Sequence, residues 1–127
     1  MPLSDLPHQH GDHMKLEQLQ AHLQKVENFQ TVADVFKQLA DSTRVRIFWL
    51  LCHCEECVIN LSAMMEMSSP AVMHHLNRLK AAKLIVSERK GKEVYYKAAE
   101  TPQADLLHHT IEKLVEISCP AERQESA

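Results

Sequence analysis

Residues 68–80, SSPAVMHHLNRLK, predict a short helix with one apolar face. Ser69 is expected to cap the first free amides, and Pro70 stands in the first turn, where a missing N–H costs nothing. Three apolar residues recur at i, i+4 and i+7 and would face a core: Val72, Leu76 and Leu79. The opposite face carries Pro70, Met73, His74, Asn77 and Arg78. Such a helix is either a probe for the DNA major groove or an ordinary amphipathic helix with a solvated face.

The flanking segments favour the first interpretation. Residues 84–98, LIVSERKGKEVYYKA, contain two β-prone runs around Lys90-Gly91, where glycine tolerates the positive φ of a tight turn. The tip of this hairpin is cationic and comprises Arg89, Lys90 and Lys92. Upstream, residues 60–67 (NLSAMMEM) show helical spacing followed by a short break. Helix, turn, helix and cationic hairpin is the order of a winged helix-turn-helix.

Composition sets the fold class and the compartment. The chain has 127 residues, only two glycines and a net charge of −3, which predicts a mostly α protein with a small β-hairpin. Residues 74–97 hold seven Lys or Arg against two acids, and such a basic half suits a DNA footprint, although random surface scatter is the alternative. No run is long enough to span a membrane, and nothing directs export, so we expect a cytoplasmic protein with reduced thiols.

Proline, glycine and apolar periodicity divide the chain into three parts. Residues 1–14 predict a flexible, histidine-containing arm, residues 15–119 one DNA-binding and dimerisation domain, and residues 120–127 a disordered tail. Helices are expected from about 15 to 40, with a break near Asn28, then from 42 to 52 and from 101 to 118. The long first and last helices carry more apolar residues than a small winged domain can bury, which predicts a homodimer.

Three segments then resemble the ArsR/SmtB family of metal-responsive repressors: LADSTRVRIFWLL (39–51), ECVINLSAMMEMSSPAVMHHLNRLKAAKLI (56–85) and GKEVYY (91–96). The resemblance implies a homodimeric winged helix-turn-helix repressor that leaves its operator DNA when an inducer, often a metal ion, binds. The chain departs from the family at two turns, where Met67 and Lys83 replace glycines.

The resemblance also implies a DNA-binding set. By position, Ser69, Pro70, Met73 and His74 are similar to the family's base-reading residues, with Met73 in the place of a common serine. Arg78, Lys90 and Lys92 would be phosphate contacts, which position the protein without specifying a sequence. The predicted set is completed by Asn77 and Arg89.

Three cysteines and a histidine cluster within Cys52-His53-Cys54-Glu55-Glu56-Cys57, where we expect Cys54 and Cys57 to lie on a polar loop. Soft thiolate ligands suit Zn(II), Cd(II), Pb(II) or arsenite, so Cys52, Cys54 and Cys57 are predicted to bind an inducing metal ion. The family's thiol site lies here in a motif similar to ELCVCDL; Cys57 matches its first cysteine and Ile59 replaces its second. Two alternatives stay open: Cys52 packs in the core, or the thiols act as a redox or reactive-sulfur sensor.

Other candidate ligands lie further away in the sequence. The arm histidines His8, His10 and His13 are possible additional ligands, and Cys119 is either a terminal thiol or a redox partner. The family's second site, on the last helix, is largely lost at the matching positions. A shifted second site is a weaker hypothesis than interface histidines, and its candidates are Asp105, His108, His109 and Glu112.

An enzymatic function is not expected. His53-Cys54-Glu55 superficially resembles part of a zinc deaminase pattern, but that pattern needs its two ligand motifs on separate elements. The sequence therefore predicts a DNA-binding repressor induced by a thiophilic metal ion, without indicating which metal or which operator.

Overall fold

The computed structural model describes residues 6–116. Its six helices are α1 (His13–Leu23), α2 (Val26–Gln38), α3 (Ser42–Leu51), α4 (Val58–Met65), α5 (Ser69–Ala81) and α6 (Pro102–Val115). Its three strands are β1 (Glu56–Cys57), β2 (Ile85–Lys90) and β3 (Glu93–Ala98). Residues up to 35 form one compact unit and those from 36 onward a second, so the boundary falls inside α2. The tail predicted at 120–127 and Cys119 lie outside the described residues.

Side-chain caps begin most of the helices, because the first amides of a helix have no partner within it. Asp12, Asp41 and Thr101 accept hydrogen bonds from the first turns of α1, α3 and α6. At α5 the prediction was wrong by one residue. Ser68, not Ser69, is the cap and accepts from the Ala71 amide at 3.3 Å. The Ser69 hydroxyl lies instead 3.1 Å from that of Ser62, on α4.

The wing is an antiparallel sheet of order β1–β3–β2, in which β2 and β3 form the predicted hairpin. Gly91 has φ +65° in its turn, the conformation for which glycine is suited. The pairing of β1 with β3, through Glu56 opposite Tyr96 and Cys57 opposite Tyr95, was not predicted. Two residues are too short for an alternating pattern, so β1 left no signal in the sequence.

The core of the second unit lies where α3, α4 and α5 meet the sheet. The predicted apolar stripe of α5 is confirmed, since all three of its members are fully buried. Other core residues are Ile47, Phe48, Leu51, Leu61, Leu84 and Ile85. Together with the wing, this arrangement is the predicted winged helix-turn-helix.

The first helical region divides in two, with a break at residues 24–25 rather than near Asn28. Neither α1 nor α2 has a buried residue. Large apolar side chains on α2 and α6 are exposed, namely Val26, Phe29, Val32, Phe36, Leu106, Leu114 and Val115. Within residues 6–116, no helix combines the length and apolar character needed to cross a bilayer.

Candidate nucleic-acid interface and metal-ligand clusters

The outer face of α5 presents most of its predicted DNA-binding residues to solvent. The exposed members are Ser69, Pro70, His74, Asn77 and Arg78. Met73 differs, because it is only partly exposed and its Sδ accepts a hydrogen bond from the Tyr96 hydroxyl at 3.8 Å. That contact ties the middle of α5 to β3, so Met73 helps to position the helix as well as line its face.

A polar contact that sequence reasoning missed fixes α5 against α3. Arg44 donates through Nε to His75 Nδ1 at 3.2 Å, and its Nη1 donates to the Gln38 carbonyl and side-chain oxygens at 3.1 and 2.9 Å. Burial lowers the pKa of His75, and Arg44 and His74 lower it further against the opposing effect of Asp41. The imidazole is therefore held neutral and accepts from Arg44. The sequence did not indicate this hydrogen bond, because His75 is adjacent to His74, which belongs to the exposed face of α5.

At the wing tip, the three predicted DNA-binding cations, Arg89, Lys90 and Lys92, are exposed but not equivalent. Arg89 donates to the Gly91 carbonyl at 3.3 Å, within its own turn. Lys90 forms an ion pair with Glu55, and its ammonium lies 5.5 Å from the centre of the Tyr95 ring. The hydrogen bond to Glu55 raises the pKa of Lys90. Glu55 follows Cys54 directly, so the wing tip contacts the cysteine segment.

The cysteine segment is more ordered than the polar loop that we expected. Cys57 belongs to β1 and is buried, with 6% of its surface exposed, so the loop interpretation was wrong for this residue. Cys52 caps the end of α3 and is partly exposed, while the Cys54 thiol donates to the Leu50 carbonyl at 3.5 Å. Burial raises the pKa of Cys54, with a contribution from Glu56.

Among the described residues, one set of three potential metal ligands has donor atoms that all lie within 4.8 Å of one another. The set is His53, His108 and Glu112, and it contains no thiol. His53 and His108 meet through their Nε2 atoms at 3.1 Å. Glu112 Oε1 lies 3.2 Å from His108 Nε2, and Oε2 lies 3.6 Å from His53 Nε2. Trp49 Nε1 donates to Glu112 Oε2 at 3.1 Å. Cys52, Cys54 and Cys57 do not form such a set among the described residues, and Cys57 is part of β1.

The four candidates for a second site on α6 are divided between two faces of the helix. His108 and Glu112 face α3, whereas His109 pairs with Asp105 at 3.4 Å on the exposed side. Their spacing of four places each pair on one face, as helical geometry requires. The sequence places His53 beside the thiols, but its side chain contacts His108 on α6, 55 residues away in the sequence.

A cavity of about 620 Å³ connects the two groups of candidate ligands. Cys52, His53, Cys54 and Glu55 line one part of it, and residues 97–102, Asp105 and His108 line the rest. Two of the three predicted thiols, Cys52 and Cys54, therefore line the same cavity as His53 and His108, which gives an ion a path to both groups.

The predicted arm histidines belong to the other compact unit. The His8 and His10 ring centroids are 6.2 Å apart, and His13 is the first residue of α1 rather than part of a free arm. Their participation in a metal site stays a prediction.

Comparisons with known proteins agree with this fold. Residues 41–87 match the model of the family described as "Bacterial regulatory protein, arsR family". A transcriptional repressor SmtB homolog from Synechocystis sp. is 34% identical over 116 residues, covering 91% of this chain and 86% of that protein. The cadmium resistance transcriptional regulatory protein CadC of Listeria innocua is 39% identical over 75 residues, covering 57% and 63% of the two chains.

Among solved structures, a homodimeric winged helix-turn-helix DNA-binding domain from Mycobacterium bovis, a possible ArsR-family regulator, superimposes with a TM-score of 0.66. The two are 26% identical, and the match covers 72% of this chain and 84% of that one. These relatives are transcriptional regulators and not enzymes.

Proposed function

The chain belongs to the ArsR/SmtB family of DNA-binding transcriptional regulators, and on that premise we propose that it is a cytoplasmic, homodimeric repressor released from its operator by a thiophilic metal ion. The observation that carries the DNA-binding part is the two-sided character of α5. One side is fully buried through Val72, Leu76 and Leu79, and the other presents donors and a cation to solvent. A groove-reading helix needs both properties, since the buried side sets its angle and the free side contacts bases.

On the reading face, His74 and Asn77 are assigned to base edges and Arg78 to phosphate, with Ser69 and Pro70 at the end that enters the groove. Asn presents a donor and an acceptor side by side, the pattern that matches adenine in the major groove. Arg89 and Lys92 on the wing would contact flanking phosphates, which contribute affinity without specificity. The hydrogen bond from the Tyr96 hydroxyl to Met73 Sδ fixes the position of α5 relative to the sheet.

Homodimerisation would cover the exposed apolar residues of α2 and α6. Phe29, Phe36 and Leu114 each leave at least half of their surface in water, an unfavourable state for large apolar side chains. A two-fold dimer also presents two copies of α5 to successive major grooves, so the operator would be palindromic.

The inducer would bind at the cysteine segment, through Cys54 and Cys57 with help from Cys52 or the arm histidines. Zn(II), Cd(II), Pb(II) and arsenite are the candidate inducers, because thiolates are soft ligands. The supporting observation is the ion pair between Glu55 and Lys90, which links this segment to the wing. An ion that reorders residues 54–57 would move Glu55 and so the wing cation. A typical allosteric coupling free energy of about 1–3 kcal/mol would weaken operator binding by up to about 150-fold.

A fluorescence-anisotropy titration tests this function with a labelled duplex taken from upstream of the chain's own coding region. We expect tight binding in chelator and, on saturation with one of Zn(II), Cd(II), Pb(II) or arsenite, a loss of affinity that is on the order of 100-fold. The variant Cys54→Ser/Cys57→Ser should bind DNA as the parent does and lose the metal response.

Ile59→Ser is the matched control, because Ile59 is exposed and close to Cys57 but has no thiol. It should keep the metal response. Unchanged operator affinity with all four inducers would refute metal sensing. A response that persists in chelator and disappears under strong reductant would identify the redox alternative instead.

A further inference from the structure

Three potential metal ligands, His53, His108 and Glu112, converge at the end of α3 and the inner face of α6. The side chains of these residues are 18%, 13% and 9% exposed. His53 follows the end of α3, whereas His108 and Glu112 are one turn apart on α6. We propose that these residues form a second metal site, selective for a divalent transition ion of the Zn(II) class and built within one chain.

The donor atoms lie close enough together to share one metal ion. A zinc ion with bonds of about 2.0–2.2 Å to nitrogen and oxygen requires ligand atoms about 3.3 Å apart. The two Nε2 atoms are 3.1 Å apart, and Glu112 approaches them with different oxygens, Oε1 at 3.2 Å from His108 and Oε2 at 3.6 Å from His53. With one donor atom taken from each residue, the three atoms lie within 4.8 Å of one another. Binding would require one Glu112 oxygen to approach both nitrogens, a movement of the carboxylate at the end of its side chain. Both Nε2 atoms would face the ion, so each imidazole would carry its proton on Nδ1.

The surroundings supply the outer contacts that metal sites usually have. Trp49 Nε1 donates to Glu112 Oε2 and orients the carboxylate, the role of a hydrogen-bonding partner behind a ligand. The indole also lies against the His53 ring, with centroids 4.6 Å apart, and limits its rotation. His53 and His108 line the 620 Å³ cavity, so a fourth position is open to water on that side.

The donor set determines the class of ion. Two imidazoles and one carboxylate suit Zn(II) and neighbouring ions such as Co(II) and Ni(II). Softer ions prefer thiolates and would favour Cys54 and Cys57. The two sites would therefore differ in chemistry, one for thiophilic ions and one for borderline ions.

The position of the site suggests what an ion would do there. It would join the end of α3, which precedes the cysteine segment, to α6, which carries exposed apolar residues assigned to the dimer interface. A change at the cysteines would then be transmitted to the dimer helix through His53. This consequence for operator binding rests on the proposed function, whereas the existence of the site does not.

Zinc binding by the full-length protein tests the proposal, in a Cys54→Ser/Cys57→Ser background that removes the thiol site. We expect this background to retain one zinc per protomer, measured by equilibrium competition with a chromophoric chelator. His108→Gln and Glu112→Gln should each remove this zinc. Trp49→Phe should weaken it by about 10- to 100-fold. Co(II) bound in the background should show ligand-field absorption without thiolate charge transfer.

His109→Gln is the matched control, because His109 is adjacent on α6 but exposed and paired with Asp105. The arm histidines are present in every variant, so a difference between His108→Gln and His109→Gln cannot come from them. Thermal unfolding in chelator checks that the variants fold, and Glu112→Gln keeps an oxygen to accept from Trp49. The proposal is overturned if the background binds no zinc, or if both histidine variants retain it equally.

The outcomes separate this site from the proposed function. Zinc retained by the background, with no metal altering operator affinity, would support the site and refute metal-induced release. Metal-induced release by the parent, with no zinc retained in the background, would support the proposed function and refute the site.

Discussion

At the scale of single residues, Lys83 shows a local conflict between sequence and backbone. It has φ +62° in the turn between α5 and β2, where the family resemblance led us to expect glycine. A side chain with a Cβ pays about 1 kcal/mol or more in this left-handed region. Glu66, with φ +54°, is in the same region at the end of α4, next to the other departure at Met67.

Lys83→Gly is therefore expected to stabilise the protein, by up to about 1 kcal/mol after the greater freedom of glycine in the unfolded chain is subtracted. Urea unfolding followed by circular dichroism measures the change. Lys113→Gly, an exposed helical position, should have the opposite sign and cost about 0.5–1 kcal/mol. Equal signs for the two variants would contradict the backbone argument.

The free energy of unfolding should depend on pH through His75. Burial and the adjacent Arg44 hold its pKa below the ordinary value of 6.5, so its folded form favours the neutral ring. The unfolded state then binds more protons below pH 6.5, so the stability from this residue is fully present above that pH and is lost as pH falls from it towards the lower pKa of the folded state. In His75→Gln, the free energy of unfolding should fall less steeply over this range. Coincident slopes for the variant and the parent would exclude this role.

At the scale of elements, the two faces of α5 should respond differently to the same truncation. Leu76 is fully buried, so Leu76→Ala should cost about 2–5 kcal/mol of unfolding free energy through lost contacts and a cavity. Asn77 is exposed on the reading face, and Asn77→Ala should change stability by less than about 0.5 kcal/mol.

In operator binding, Asn77→Ala should have a larger effect than Leu76→Ala. Asn77→Ala should lose about 1–3 kcal/mol of discrimination against operators changed at the contacted base pair. Leu76→Ala should keep that discrimination in the fraction that remains folded. Denaturant unfolding and anisotropy titrations with base-substituted duplexes measure the two quantities. A destabilising Asn77→Ala with unchanged discrimination would assign that face to structure rather than DNA.

Only part of the wing could be predicted from the sequence. The hairpin of β2 and β3 was predictable because its turn residue and alternating strands lie within 15 residues of one another. The third strand, β1, exists only because Glu56 and Cys57 pair with residues 38–40 positions further along the chain. That pairing, not the local sequence, buries Cys57 and separates it from a loop-based thiol cluster.

At the scale of the whole molecule, the exposed apolar residues of α2 and α6 predict association. Leu114 leaves 79% of its surface exposed, and placing a charge there should oppose dimerisation. We expect the parent to sediment as a dimer, and Leu114→Glu to shift towards monomer with weaker operator binding. Lys113→Gln alters the net charge by the same amount at the next position and should remain dimeric. A monomeric parent in analytical ultracentrifugation would contradict the proposed assembly.

Local patterns in the sequence determined the helix caps at Asp41 and Thr101, the buried stripe of α5 and the hairpin turn at Gly91. These features depend on residues within a few positions of one another, where propensity and periodicity are decisive. Tertiary structure decided which ligands meet. His53 joins His108 and Glu112, rather than Cys54 and Cys57, because packing of α3 against α6 brings together side chains 55 and more residues apart. No local pattern encodes that distance, since it depends on how whole elements pack.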